Sequence, residues 1–278
     1  MSFDSDYLGF VNAVVTGGEK RQTRAGPTRS TFGSFIHINC LLRGQFPILT
    51  TRKMFPKPIL GELAAFLRGA SLLSEFQMLG CNYWNANAAA WPANAKYHPA
   101  AWHVGKVYGA QWRYWTGLHG TQVDQLENLI TSLREDSNSR RHILTTWNPA
   151  ELSLGCLPPC HILAQFNVCN SKHLDCVVYM RSVDLCLGLP SDIILYAALL
   201  ILIADEVSLK PGRLTFMLAD THIYENHVER FKKQLSAPDY GLPTYTLSPE
   251  ASLDNFKPEH LEINNYQHGE KIDYPFAV

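Results

Sequence analysis

Leu157-Pro158-Pro159-Cys160-His161 opens the stretch on which the reading of this chain turns, and Asp192 ends it. Two runs inside it alternate, Ala164-Gln165-Phe166-Asn167-Val168 and Asp175-Cys176-Val177-Val178-Tyr179-Met180. A period of two predicts two strands. Arg181-Ser182-Val183-Asp184 and Gly188-Leu189-Pro190-Ser191-Asp192 follow, the latter read as a turn. A thiol, a guanidinium, a hydroxyl and two carboxylates are thus strung along two strands and the turn after them. Such a set can attack a carbon, hold an anion and read a polar ring. The bland alternative is a packed cysteine beside a histidine. Cys40, Cys176 and Cys186, each inside an apolar run, fit that description as small core residues. Cys160 differs because it follows a Pro-Pro turn.

The 278 residues suffice for a sizeable core, and the chain is read as one catalytic domain, 1–278. A formal net charge of -1 argues against a global nucleic-acid or anionic-membrane footprint. The longest apolar run, Ile193 to Ala204, has the length of a core helix rather than of a bilayer span. Met1 to Asp6 lacks the basic start and apolar centre of a signal peptide. The seven cysteines include no C-x-x-C and no zinc spacing, so no metal is expected. The expected setting is a reducing cytoplasm.

Outward from the central stretch, Leu8, Val11, Val14 and Val15 predict a helix over 7–16 that Gly17-Gly18 stops. Lys20 to Arg29 reads as a basic loop, and Phe32 to Leu42 as a strand. Lys57 to Leu67 predicts a helix with Glu62 among Leu60, Leu63, Ala64 and Phe66, where a carboxyl acquires a raised pKa suited to proton transfer. Asn82 to Trp102 reads as a long loop. Gln122 to Asp136 is an amphipathic helix and His142 to Trp147 a strand. Ile193 to Val207 is a buried helix, and Arg213 to Leu218 a strand. Asp220 to His227 reads as the opening of another helix, with Asp220 or Thr221 as N-cap. Thr244–Leu247 and 261–263 are short strands. Strands and helices mix without strict alternation, so the class is α+β.

The chain resembles thymidylate synthase from Arg24 to Val278. The strings that carry the resemblance are Val107-Tyr108-Gly109, Gln111-Trp112-Arg113, Ser139-Arg140-Arg141, Trp147-Asn148-Pro149, Leu157 to His161, Arg181-Ser182 with Asp184, Leu187 to Pro190, and Asp220 to Tyr224 with Asn226-His227. The resemblance implies a mixed sheet flanked by helices, paired through its sheets as a homodimer. It implies transfer of a one-carbon unit from 5,10-methylenetetrahydrofolate to C5 of a pyrimidine nucleotide. Cys160 then corresponds to the thiolate that adds at C6, and Glu62 to a general acid/base working through water, with Tyr108 and His161 around the nucleophile and ring. Arg24, Arg181 and Ser182 correspond to the phosphate site, Arg140 and Arg141 reaching in from the partner subunit. His222 and Tyr224 correspond to sugar-binding residues. Trp84, Leu157, Asp184 and Gly188 correspond to the folate site, and Ala277-Val278 to a tail that folds over it. Arg181 is expected to lower the thiol's pKa.

Asp192 stands where the family carries Asn, and this departure bears on the substrate. A carboxylate facing uracil O4 sets two acceptors in contact, whereas cytosine offers an N4 amino donor beside N3. The reading is therefore dCMP, with Asp192 both a base reader and a catalytic group, and a protonated Asp192 that mimics the amide as the rival. Phage deoxycytidylate hydroxymethylases carry the same Asp, and also match Met180 and Ser191. Trp84, Leu157, His161 and the apolar tail favour reductive methylation to 5-methyl-dCMP. Ser191, Ala65 in place of a family Trp, and Asn87 favour water entry and hydroxymethylation. A dUMP-dependent thymidylate synthase, and an idle relative that binds nucleotide or RNA, are the further alternatives. A cytosine-modifying member points to a phage source and hence a host cytoplasm.

Overall fold

The computed structural model describes residues 2–276. Helix α1 (Phe3–Gly17) starts ahead of the apolar run because Ser2 caps it, its hydroxyl accepting from the Ser5 N–H at 3.2 Å. The segment expected as a basic loop is instead a hairpin of β1 (Glu19–Thr23) and β2 (Gly26–Ile38). β1 is exposed along its whole length, an edge strand with no buried face and so no alternation to read. The helical part of the first half comprises α2 (Pro56–Leu67), α3 (Leu73–Met78), α4 (Asn85–Ala90) and α5 (Tyr108–Arg113). The segment 82–102 is thus more ordered than a loop. It holds α4 and two 3-10 turns, tied by the Asn94 amide to the carbonyls of Ala88 (2.9 Å) and His103 (2.8 Å). A small hairpin follows, β3 (Trp115–Thr116) with β4 (Gln122–Val123), then α6 (Gln125–Glu135), capped by Asp124.

The remaining elements are β5 (Ile143–Thr145), β6 (His161–Cys169), β7 (His173–Asp184), α7 (Gly188–Glu206), β8 (Lys210–Tyr224), α8 (Glu225–Leu235) and a hairpin of β9 (Thr244–Leu247) with β10 (Leu261–Asn264). The main sheet runs β1-β2-β8-β7-β6-β5. Its neighbours are antiparallel except β7 and β8, which are parallel and joined by the crossover helix α7. The fold is α+β with a mixed sheet flanked by helices. One sheet face, with Ile36, Val178, Met180, Phe216 and Leu218, is buried and packs with α7 into one contiguous cluster. On the other face Phe35, Met217 and Tyr179 are exposed.

Two expectations change here. Gly188 to Asp192 is not a turn but the first turn of α7, where Pro190 costs little because its missing N–H would be unpaired anyway. Asp220 to Tyr224 is not a helix start but the end of β8, paired with Thr28 to Phe32 of β2, and α8 begins only at Glu225. The 19 residues of α7 also exceed the apolar run seen in the sequence and meet the length and hydropathy of a membrane span. Every residue from Ile193 to Ala204 is nevertheless buried in the protein core.

Candidate active site

A cavity of about 610 Å³ opens where β7 and β8 end and α7 begins. The end of β7 contributes Arg181, Ser182 and Asp184, the start of α7 contributes Gly188 and Asp192, and the end of β8 contributes His222 and Tyr224. Glu62 of α2, Trp84 before α4, Tyr108 of α5, and Leu157, Cys160 and His161 close the other side, with Arg24 at the turn between β1 and β2. These expected residues meet in one place. Arg140 and Arg141 do not: both are exposed before β5 at the far edge of the sheet. Ala277 and Val278 lie outside the described residues. Ala65 is fully buried and does not line the cavity, whereas Asn87 and Ser191 do.

Cys160 sits just before β6, where the register with β7 shifts between His161 and Leu163. Such a bulge re-aims the side chains beside it. The Cys160 N–H donates to the Tyr108 hydroxyl at 2.8 Å, and its carbonyl accepts from the Arg181 N–H at 2.8 Å. Both anchors leave the thiol side free. The Arg181 guanidinium donates to the carbonyls of Pro159 (2.7 Å) and Pro158 (2.8 Å), lies over the Trp147 ring at 5.6 Å, and approaches Sγ at 3.9 Å. Burial is the larger influence on the thiol and lifts its pKa, while Arg181 opposes that rise. The expected lowering is thus only a partial offset, because burial outweighs the guanidinium.

The groups around the ring position are mostly neutral. Burial lifts the Glu62 carboxyl to about 7, although the Trp84 indole N–H donates to it at 2.8 Å and opposes the rise. Burial also raises Asp192 well above the usual carboxylate range, reinforced by Glu62 and Asp184. His161 is pushed down to about 3 by burial and is therefore a neutral imidazole. Its ring stacks on Tyr108 at 3.9 Å and turns Nε2 towards Asp192 Oδ1 at 3.8 Å. A carboxyl near 7 can give or take a proton at neutral pH, and a neutral Asp192 offers one donor and one acceptor.

On the anion side, Arg24, Arg181 and Ser182 face the cavity with His222 and Tyr224. His222 Nδ1 lies 3.0 Å from Asp220 Oδ1, which orients the ring. On the opposite side Asp184 accepts from the N–H groups of Cys186 (2.9 Å) and Leu187 (3.3 Å), fixing the turn into α7. Several lining residues carry no signal in the sequence reading: Arg52 and Lys53 before α2, Tyr83, and Tyr274 near the end of the chain. Arg52 stacks on Tyr274 at 4.9 Å and donates to the Cys186 carbonyl, so it braces the tail against the start of α7. These residues lie in irregular segments without periodicity. Only two basic residues beside Met54-Phe55-Pro56 mark the place. Among the described residues no cluster of His, Cys, Asp and Glu could hold a metal ion.

The sequence profile described as thymidylate synthase matches residues 5–278. The chain is 35% identical over 286 residues to a bifunctional dihydrofolate reductase-thymidylate synthase of Paramecium tetraurelia, covering 99% of this chain and 61% of that one. It is 36% identical over 284 residues to the protein of the same name from Plasmodium chabaudi, covering 98% of this chain and 48% of that one. The chain thus spans about half to three fifths of the length of these relatives. With a cysteine, an arginine and a half-buried carboxyl facing one cavity and a profile match over nearly the whole chain, the protein belongs to the thymidylate synthase family.

Proposed function

We propose that this protein transfers a one-carbon unit from 5,10-methylenetetrahydrofolate to C5 of dCMP through a Cys160 adduct, giving 5-methyl-dCMP. Family membership supports the coarse part, folate-dependent C5 methylation of a pyrimidine nucleotide. Asp192 supports the finer part, because its half-buried carboxyl lies beside His161 in the cavity that holds Cys160. The carboxyl is neutral rather than the carboxylate expected from sequence, so it no longer excludes uracil; towards cytosine it donates to N3 and accepts from N4. As the sulfur–C6 bond forms, the C5–C6 π pair moves between C4 and C5. The C4–N3 pair then moves to N3, which takes the proton from Asp192. C5 becomes enamine-like and attacks the folate methylene as that carbon's bond to a folate nitrogen breaks, with Glu62 placed to take the Cys160 thiol proton and later the C5 proton through water. Arg24, Arg181 and Ser182 hold the phosphate, His222 and Tyr224 the sugar, and Trp84, Leu157, Asp184 and Gly188 the folate.

Reduction of the exocyclic methylene by the folate, rather than addition of water, is favoured by the buried Trp84 against the cavity. Ser191 supports water entry weakly, since its hydroxyl is engaged with the Leu187 carbonyl at 2.9 Å. Asn87, which also lines the cavity, favours the hydroxymethylase reading as well. The relatives' naming as thymidylate synthases supports the alternative of dUMP as substrate. Incubation with methylenetetrahydrofolate and either nucleotide separates the three. Methyl-dCMP with dihydrofolate is expected; hydroxymethyl-dCMP without dihydrofolate, or turnover of dUMP alone, would overturn the assignment.

The exposed sheet face supports a homodimer. Phe35, Met217 and Tyr179 are register partners on β2, β8 and β7, so three exposed apolar side chains form one row across the sheet. Pairing two copies through this face is the arrangement in which Arg140 and Arg141, distant from their own cavity, reach the partner's phosphate site.

A further inference from the structure

Tyr196 lies on α7 one turn beyond Asp192 and is 1% exposed. Its hydroxyl lies 2.8 Å from His161 Nδ1, its one hydrogen-bond partner among the described residues. A buried phenol proton without an acceptor is costly. Tyr196 O–H therefore donates to Nδ1. The neutral ring then carries its proton on Nε2, the nitrogen facing Asp192 Oδ1 at 3.8 Å. That separation exceeds a direct hydrogen bond, so the protonated Nε2 acts on Oδ1, the carboxyl oxygen it approaches at 3.8 Å, through its partial positive charge alone. Oδ1 is favoured as the acceptor of the neutral carboxyl, and its proton resides on Oδ2.

We propose that Tyr196 is a positioning residue for base specificity: it fixes the tautomer of His161, and through it which oxygen of Asp192 accepts and which donates. This rests on the cytosine reading of the site. A cytosine edge presents a donor at N4 and an acceptor at N3. A uracil edge presents the reverse, an acceptor at O4 and a donor at N3. A carboxyl free to exchange its proton between the two oxygens serves either base. One whose oxygens are made inequivalent serves the base whose order matches. The phenol, the imidazole and the carboxyl thus form a chain that turns an ambiguous reader into a directional one. The stacking of His161 on Tyr108 keeps the ring from rotating out of this chain.

Two measurements test the proposal. Nitrogen-15 NMR of the protein, with the His161 signals assigned by their loss in His161→Gln, should show Nε2 protonated and Nδ1 bare. A proton on Nδ1 in the unmodified protein overturns the chain. In Tyr196→Phe the ring should become a tautomer mixture, and the ratio of kcat/KM for dCMP over dUMP should fall by about tenfold. The change is expected mainly in KM for the two bases, with kcat on dCMP less affected, a split that general loosening of the core would not produce. An unchanged ratio in Tyr196→Phe, beside a shifted ratio in Asp192→Asn, overturns the role of Tyr196 alone. An unchanged ratio in Asp192→Asn overturns the cytosine reading itself.

Discussion

Glu62 is the residue a pH titration reads most directly. Its folded carboxyl titrates at about 7, well above an ordinary glutamate, because burial disfavours the charge. A raised carboxyl contributes stability that is fully present below the unfolded pKa and is lost as pH rises through 7. Glu62→Gln should therefore gain on the parent protein by about 3 kcal/mol between pH 4 and pH 8. Urea midpoints of both proteins at the two pH values check this, and parallel midpoints would refute it. Cys160→Ser should abolish turnover while nucleotide binding by calorimetry persists; residual turnover near the parent level would remove Cys160 as nucleophile. Glu62 is legible from sequence as a carboxyl inside a helical apolar run, whereas Cys160 is told from a packed cysteine by the family resemblance. Arg52 and Tyr274 are not legible, since they meet only when chain segments more than two hundred residues apart pack together.

At the level of elements, the site depends on how closely α5 lies on α2. Gly109 makes this possible, because a Cβ there would collide with the Phe66 backbone. Gly109→Ala should cost about 1–3 kcal/mol as the helices separate. Tyr108, the next residue, would move away from Cys160, so activity should fall further than the loss of folded protein explains. Thermal melting with activity per folded molecule tests this, and a proportional loss would contradict it. Element type was readable where one period dominated, as in α2, α6 and the paired β6 and β7. It was misread at Asp220 to Tyr224, whose Asp and Thr imitate an N-cap. The partner that makes this segment a strand, β2, is nearly two hundred residues earlier. Gly188 to Asp192 looked like a turn for the same local reason, and the packing of α7 on the sheet overrides it.

For the whole molecule, the exposed row of Phe35, Met217 and Tyr179 sets the expected assembly. Phe35→Asp should weaken the dimer, read by analytical ultracentrifugation, and lower activity with it. Mixing inactive Cys160→Ser protomers with inactive Arg140→Ala/Arg141→Ala protomers should restore turnover, because one heterodimer site would then hold an intact thiol and both arginines. No recovery on mixing would return the two arginines to a surface role. The α+β class was inferable from strands and helices that mix without strict alternation, whereas the mixed sheet was implied only by the family resemblance. The exposed row was not inferable, because it joins residues of three strands whose register appears only in the folded sheet. That sheet also has a centre and margins. β7, β8 and α7 form the cavity floor, while Arg24 lies on an exposed edge hairpin and Tyr274 on the irregular tail. Opening free energy should therefore be graded across a single cavity. In hydrogen exchange, amides of Val178 and Phe216 should wait for global unfolding, while those beside Arg24 exchange through local fluctuations. A nucleotide entering such a site would order its rim and leave its floor unchanged.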